Sequence, residues 1–328
     1  MWRGLILGIL AAGLAVACSG GGGLAPFAES RTPPSLGERF YPPEGWAWGF
    51  LRVGEAPAQR YGVAAPATVA RAQILILPDY GETAETWFET ARDLGRRGYC
   101  VWVLEGAGQG GSGRTAGPRD LGYAQSFDPD VTAVLAMASA VIRAPPETHL
   151  IVLGQGVGAL VAVRAAQGGL ASGGLILSAP RLTAPRHAPA PRFLGLDRLR
   201  PPGEKGWGRD MPDAFARGAT HDRWRGGVTL AWQRANPDLR MGDPSLRWRT
   251  AFEAAVRAAR EYPAPLSAPV LVVEGDRGSG CLNLTPCSSI RLAGGAEALE
   301  LERDPVRDPW LTAIDAFARS RLADRSRP

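Results

Sequence analysis

The sequence predicts an α/β protein: a mostly parallel central sheet flanked by helices, with a helical cap inserted late in the chain. Three observations predict it. Short apolar runs alternate with segments of helical period. Glycine-rich turns follow several of those runs, where a strand gives way to a helix or loop. Residues 182–265 hold no clear strand, only proline, arginine and tryptophan punctuation and one helical pattern at Ala251–Arg260. A chain of 328 residues suits one large domain with such an insertion. With 45% hydrophobic and 21% charged residues, it is neither a disordered chain nor a multi-span membrane protein.

The N-terminus reads as a targeting segment. Arg3 supplies the positive charge, and Gly4–Val16 is apolar but shorter than the roughly 20 residues a spanning helix needs. Ala15-Val16-Ala17 fits a small-residue cleavage site directly before Cys18, which predicts a signal peptide over residues 1–17 and export. The same residues resemble a bacterial lipobox, although Ala15 stands where that motif has leucine. That resemblance implies a lipidated Cys18, membrane attachment and a periplasmic or outer-membrane lipoprotein. Simple secretion and an uncleaved anchor are the alternatives. Residues 18–43 are rich in glycine and proline and predict a flexible tether, leaving the folded domain at residues 44–328.

The elements follow in order. Gln73–Leu77 is a buried strand, and Ala84–Arg97 a helix with Trp87, Phe88, Ala91 and Leu94 on one face. Further strands are expected at Tyr99–Leu104, Thr148–Leu153, Gly174–Ala179 and Pro269–Glu274. Helices are expected at Val157–Ala166 and Pro305–Leu322. Cys100 lies inside an apolar strand and predicts a buried free thiol. Cys281 and Cys287 share a Gly/Ser/Pro-containing loop and, in an oxidising compartment, predict a disulfide. No histidine or further cysteine is near enough in sequence to suggest a metal site. The cap segment 186–260 holds 15 Lys/Arg and 8 Asp/Glu, a net +7 in a chain of net +5. It reads as a solvated basic face or as a surface for anionic lipid, and gives no reason to expect nucleic-acid binding.

The turns carry the chemistry. After the first core strand comes Pro78-Asp79-Tyr80-Gly81-Glu82. After the next comes Glu105-Gly106-Ala107-Gly108-Gln109-Gly110-Gly111-Ser112, and after the third Gly154-Gln155-Gly156-Val157-Gly158. The last also fits a dinucleotide fingerprint formally, as Gly154-x-Gly156-x-x-Ala159. The following strand, however, ends in Ser178-Ala179-Pro180 with no acidic residue for a ribose, so no cofactor is implied.

Together with Leu177-Ser178-Ala179-Pro180 and Glu302-Arg303-Asp304, these segments resemble the α/β-hydrolase superfamily. Within it they are similar to the lysophospholipase and monoacylglycerol-lipase (serine aminopeptidase-like) group, over residues 40–322. The resemblance implies a nucleophile elbow Gly-x-Ser-x-Gly with Gly156 at the serine position. It also implies an oxyanion site built from the loop at Asp79 and Tyr80 and the N–H of Val157. The acid belongs at the end of a Gly-x-x-Asp turn. Here that turn reads Gly275-Asp276-Arg277-Gly278, so Gly278 takes the acid position and Asp276 is the nearest carboxylate. The histidine belongs near Glu297 or Ala298, and the three histidines present are His149, His187 and His221. Serine at an elbow holds a strained backbone, which glycine relaxes while removing the nucleophile. The expectation is a hydrolase scaffold without acyl-transfer chemistry, binding a lipid or acyl ligand or a protein partner at the cell envelope. A working hydrolase that uses Ser112 or Ser178 is the alternative, and a purely structural envelope protein the third reading. Trp207, Trp224, Trp232 and Trp248 suggest apolar contacts in the cap.

Overall fold

In a computed structural model, residues 24–145, 149–184, 193–262 and 264–323 are described. The expected signal peptide, Cys18 and His187 lie outside them.

Eight strands form one sheet: β1 (Ala47–Leu51), β2 (Gln59–Ala64), β3 (Ala72–Leu77), β4 (Tyr99–Leu104), β5 (Leu150–Gln155), β6 (Gly174–Ser178), β7 (Val270–Glu274) and β8 (Cys287–Arg291). Their order is β1-β2-β4-β3-β5-β6-β7-β8. β1 pairs antiparallel with β2 and β2 with β4, and every other pairing is parallel. The central strands are near-continuous apolar runs because both faces are covered. Alternate residues divide between the faces. Leu75, Leu77, Val152 and Leu175 meet α2 (Asp128–Ala136), α3 (Val157–Gln167) and α6 (Leu246–Arg260). Ile74, Ile76, Val101 and Ile151 meet α1 (Phe88–Arg96) and α7 (Asp304–Ala323). Among the described residues no helix is long and apolar enough to cross a membrane.

Three strands escape the sequence reading. β1 and β2 contain glycines and side chains of mixed polarity, and β8 reads Cys-Ser-Ser-Ile-Arg with mostly exposed side chains at the sheet edge. Cys287 therefore opens a strand. Its disulfide to Cys281, with Cα atoms 5.9 Å apart, ties the turn after β7 to that edge. Cys100 is a buried free thiol, pushed up to about 11 by burial.

The tether expected to reach residue 43 is corrected by the structure from Leu24 onward. Phe27 N–H donates to Gly111 O (2.7 Å), Arg114 N–H to Leu24 O (2.8 Å) and Arg119 Nη1 to Ala25 O (2.7 Å). Arg31 and Asn236 exchange a pair of hydrogen bonds, N–H to Oδ1 at 2.7 Å and Nδ2 to O at 2.9 Å. Glycine and proline here form a strap whose main-chain groups find partners on the domain, so composition alone misled.

Between β6 and β7 the cap adds the short helix α4 (Arg223–Gly226), α5 (Val228–Ala235) and α6. It closes over the ends of the parallel strands. Trp232 is fully buried and packs edge-on against Phe88 (5.5 Å between centroids), while Trp248 stacks on Phe252 at 5.3 Å. Trp207 donates its indole N–H to Gln233 Oε1 at 2.8 Å, whereas Trp224 is exposed.

Candidate active site

Parallel pairing aligns the C-terminal ends of β3, β5 and β6, with Leu77 opposite Gly154 and Gln155 opposite Ser178. The loops that leave these ends converge on one spot. Gly156, between β5 and α3, has φ 53° and ψ −110°, a left-handed elbow. Its neighbours must be glycine as well. A Cβ on Gly158 would overlap the Leu77 carbonyl, and one on Gly154 the backbone of Ala159. The elbow geometry survives without its serine.

The expected oxyanion site is filled from within. Asp79 Oδ1 accepts the N–H of Val157 at 2.8 Å and that of Tyr80 at 2.8 Å. These are the main-chain groups that the family resemblance places at the oxyanion site. A Cβ built on Gly156 would overlap the same carboxylate. Asp79 Oδ2 pairs with Arg181 Nη2 at 3.0 Å, and Arg181 also approaches Glu297 at 3.6 Å. Asp79 thus serves as an internal anion with its own counter-ion.

The loop around it is fixed on every side. Glu82 Oε2 accepts Asp79 N–H (3.0 Å) and the Trp87 indole N–H (3.1 Å). Gly81 N–H donates to Gln109 Oε1 at 2.9 Å, while Gly81 O accepts from Gln233 of the cap at 3.0 Å. Tyr80 reaches into the cap, its hydroxyl donating to Gly242 O at 2.8 Å and its ring 4.8 Å from Trp248. Burial pushes the Tyr80 phenol above its ordinary range. Burial and the adjacent Asp79 push Glu82 up to about 7.

Below the loop lies a charged cluster with no exposed side chain. Arg60 Nη2 reaches Glu105 at 2.6 Å and Glu85 at 2.8 Å, all three side chains fully buried. Glu105 also accepts the N–H groups of Ala84 (2.8 Å) and Gly111 (2.7 Å). Burial alone would lower Arg60; Glu105 and Glu85 more than reverse this and raise it. The strap completes the cluster, with Ser30 Oγ donating to Glu85 at 2.5 Å and Ala28 O accepting from Arg60 at 3.3 Å.

The remaining expected positions fall as follows. Asp276 is exposed and accepts Gly294 N–H at 2.9 Å, a turn-closing role that keeps it at the surface. A Cβ on Gly278 would overlap the Glu274 carboxylate, which accepts Ser279 N–H (3.0 Å) and Gly280 N–H (2.8 Å). Glu297, one of the two positions expected for the histidine, gives its carbonyl to Gln155 Nε2 at 2.8 Å. His221 Nδ1 meets Glu302 Oε1 at 2.8 Å and pins the cap to the loop before α7. His149 precedes β5, at the opposite end of the strand from Gly156. Ser112 and Ser178 are fully buried, Ser112 Oγ accepting Arg60 N–H (2.9 Å) and Ser178 Oγ the Trp310 indole N–H (3.1 Å). Neither presents a hydroxyl to a substrate. Sequence reasoning did not single out Arg181. Its signal was an arginine immediately after the turn that ends a core strand.

A parallel sheet in this order, a glycine-flanked left-handed elbow after β5, a facing oxyanion loop and a cap between β6 and β7 define an α/β-hydrolase. The sequence model of the serine aminopeptidase S33 family matches residues 68–281, and the chain belongs to that family. No curated protein matches the sequence. Among solved structures, a monoglyceride lipase from Saccharomyces cerevisiae, in complex with a substrate analogue, superposes with a TM-score of 0.63 at 15% identity, covering 84% of this chain and 96% of that one. A monoacylglycerol lipase from Paleococcus ferrophilus gives 0.53 at 15% identity over 79% and 98% of the two chains. A carboxyl esterase from Bacillus coagulans, in complex with glycerol, gives 0.56 at 14% identity over 84% and 99%.

Proposed function

We propose that this chain is a non-catalytic member of its family, an exported envelope protein held at a membrane through Cys18, that binds a lipid or acyl ligand or a protein partner. The observation that carries the reading is Asp79, whose carboxylate accepts the N–H groups of Tyr80 and Val157, the two expected at the oxyanion site. Acyl transfer needs a nucleophile, a general base and an empty oxyanion site. Gly156 supplies no nucleophile, Glu297 and Ala298 supply no imidazole, and a fixed negative charge sits where negative charge would have to develop. The lipid ligand class is suggested by the monoglyceride lipase among the structural neighbours. Cys18 lies six residues before Leu24, so a lipid anchor there would hold the domain within about 20 Å of the bilayer.

The test is labelling with a fluorophosphonate beside an active serine hydrolase, with lipid extraction of the purified protein and mass spectrometry. No labelling and a co-purifying lipid are expected. Labelling at any serine overturns the reading. Cys18→Ala is expected to move the protein from the membrane to the soluble fraction, and unchanged fractionation would remove the anchor from the proposal.

A further inference from the structure

The short helix α4 stands at an outer corner of the cap and holds an aromatic side chain in water. Trp224 is 80% exposed and Phe215 42%. The two belong to one knob: Ala214 N–H donates to Gly226 O at 3.1 Å, and a Cβ on Gly226 would overlap Phe215. The knob is seated on the loop before α7, where Ala298 N–H donates to Ala219 O (2.8 Å) and Thr220 Oγ1 to Leu301 O (2.7 Å). It is also fixed from beneath. Asp222 accepts the N–H groups of Trp224 (2.8 Å) and Arg225 (2.9 Å), and buried Arg225 donates to Glu89 (2.8 Å), Asp304 (2.6 Å) and Glu302 O (2.8 Å). A tryptophan presented from so rigid a base leaves most of roughly 200 Å² of side chain to be covered by something else.

Charge is sorted around the rings. The acids of this corner are engaged: Asp213 with Ala216 N–H, Asp222 and Asp304 with Arg225, Glu302 with His221. Arg217, Arg223 and Arg303 are exposed, and among the described residues none of them has an ion-pair partner. Glu302 Oε2 accepts both His221 N–H and Arg303 N–H at 3.2 Å, so Arg303 lies beside the knob. Aromatic rings among unpaired arginines suit the headgroup level of an anionic bilayer.

We infer that the knob bearing Phe215 and Trp224 is a docking surface for an anionic lipid bilayer. The rings enter among the headgroups while Arg217, Arg223 and Arg303 meet lipid phosphates. The inference rests on the envelope reading above, and the position of the strap supports it. Arg119 donates to both Ala25 O (2.7 Å) and Asp238 O (2.8 Å), which places the start of the strap just beyond the C-terminal end of α5. Trp224 precedes the N-terminal end of that helix, whose eight residues span about 12 Å. The chain between Cys18 and Leu24 is long enough for a lipid anchor and the knob to reach one bilayer. One attachment leaves the domain free to turn on its tether; two fix its orientation. The loop that seats the knob also contains Glu297, which approaches Arg181, so docking brings the corner beside the elbow toward the lipid surface.

The experiment reconstitutes the full chain with phosphatidylcholine vesicles, with and without phosphatidylglycerol, whose acyl chains are brominated near the headgroup. Tryptophan fluorescence is read beside Trp224→Phe, and the difference is the signal of Trp224. That signal is expected to be quenched on the anionic vesicles. The quenching should be lost in high salt, which screens exposed charges, and in the double variant Arg217→Gln/Arg223→Gln. The substituted side chains are exposed, so the variants should keep the melting temperature of the parent. A Trp224 signal untouched by bromine, or quenched equally without phosphatidylglycerol, overturns the inference. Self-association of the vesicle-free chain that Trp224→Ser abolishes would also overturn it, by giving the face to a second copy. Quenching is read on chain bound by either route. Failure of the Cys18 anchor is seen separately in fractionation, and residual catalysis in fluorophosphonate labelling.

Discussion

The carboxylate of Asp79 occupies the space that any side chain on Gly156 would need, and it accepts the N–H of Val157 at 2.8 Å. The two positions are therefore coupled: the acid fits because the elbow is bare.

Restoring the serine alone should harm the protein. Gly156→Ser places a Cβ at φ 53°, a strain of about 1–3 kcal/mol, and collides with Asp79. A loss of about 2 kcal/mol or more in urea denaturation is expected, with no esterase activity. Adding Asp79→Gly should recover part of that stability by clearing the hole, still without turnover, because no imidazole faces the elbow. Native stability in the single variant, or a double variant less stable than the single, would show that the positions are not coupled.

Much of this was legible in the sequence, for identifiable reasons. Strands β3 to β7 announce themselves because strands buried on both faces must be apolar throughout. The glycines around position 156 are legible because only glycine tolerates the close approach to Leu77 and Ala159. Edge strands are under no such demand, so β8, with its serines facing water, looked like loop. Asp79 is legible as a member of the loop expected to form the oxyanion site. Its occupation of both N–H groups is not, because side-chain direction depends on the converging backbones. Asp276 is the nearest carboxylate to the acid position by spacing, while its Gly-Asp-Arg-Gly turn already suits a surface residue; the contact with Gly294 is made across the turn.

Arg60 should be among the most costly side chains to remove. It lies between Glu85 and Glu105 with all three fully buried, and its ring-side face meets Trp48 at 4.1 Å. Arg60→Met strands two buried carboxylates, a loss of about 3–5 kcal/mol at pH 7. Burial would raise Glu85, but Arg60 reverses this and lowers it. In the parent, that contribution is present above the unfolded carboxyl pKa and is lost as pH falls through the folded value. The penalty of Arg60→Met should accordingly shrink toward pH 4, where the stranded carboxylates take up protons. Denaturation midpoints at pH 7 and pH 4 check this, and a penalty constant with pH would argue that packing alone is lost.

Asp130 should behave in the opposite sense. It faces a small cavity lined by Leu77, Leu104, Phe127, Val134 and Val157, accepts Ala107 N–H at 2.7 Å, and is pushed up to about 7 by burial. The folded state keeps a proton that the unfolded chain has already released, so stability falls as pH rises from the unfolded value toward about 7. Asp130→Asn retains the acceptor and has no proton to lose. Its advantage should be small at pH 4 and reach about 2 kcal/mol at pH 8. Equal stability of parent and variant at pH 8 would mean that Asp130 is effectively hydrated in the folded protein.

The strap supplies the last test, because a tether and a structural segment predict different outcomes. A chain starting at Thr32 lacks Ala28 O and Ser30 Oγ, which serve the Arg60–Glu85 pair, and the Arg31 main chain, which satisfies Asn236 at the end of α5. Asn236 is 1% exposed with the strap in place. Each buried group left without its partner costs about 1–3 kcal/mol. Compared with a chain starting at Leu24, the shorter one should lose at least about 3 kcal/mol. Amide exchange should quicken in α5 and in the loop at Asp79–Glu82, since Gln233 joins the two through Gly81. Identical stability and exchange in the two chains would return residues 24–31 to the status of a tether. Loss of stability with exchange quickened only near Arg60 would mean that the strap supports the core without holding the cap.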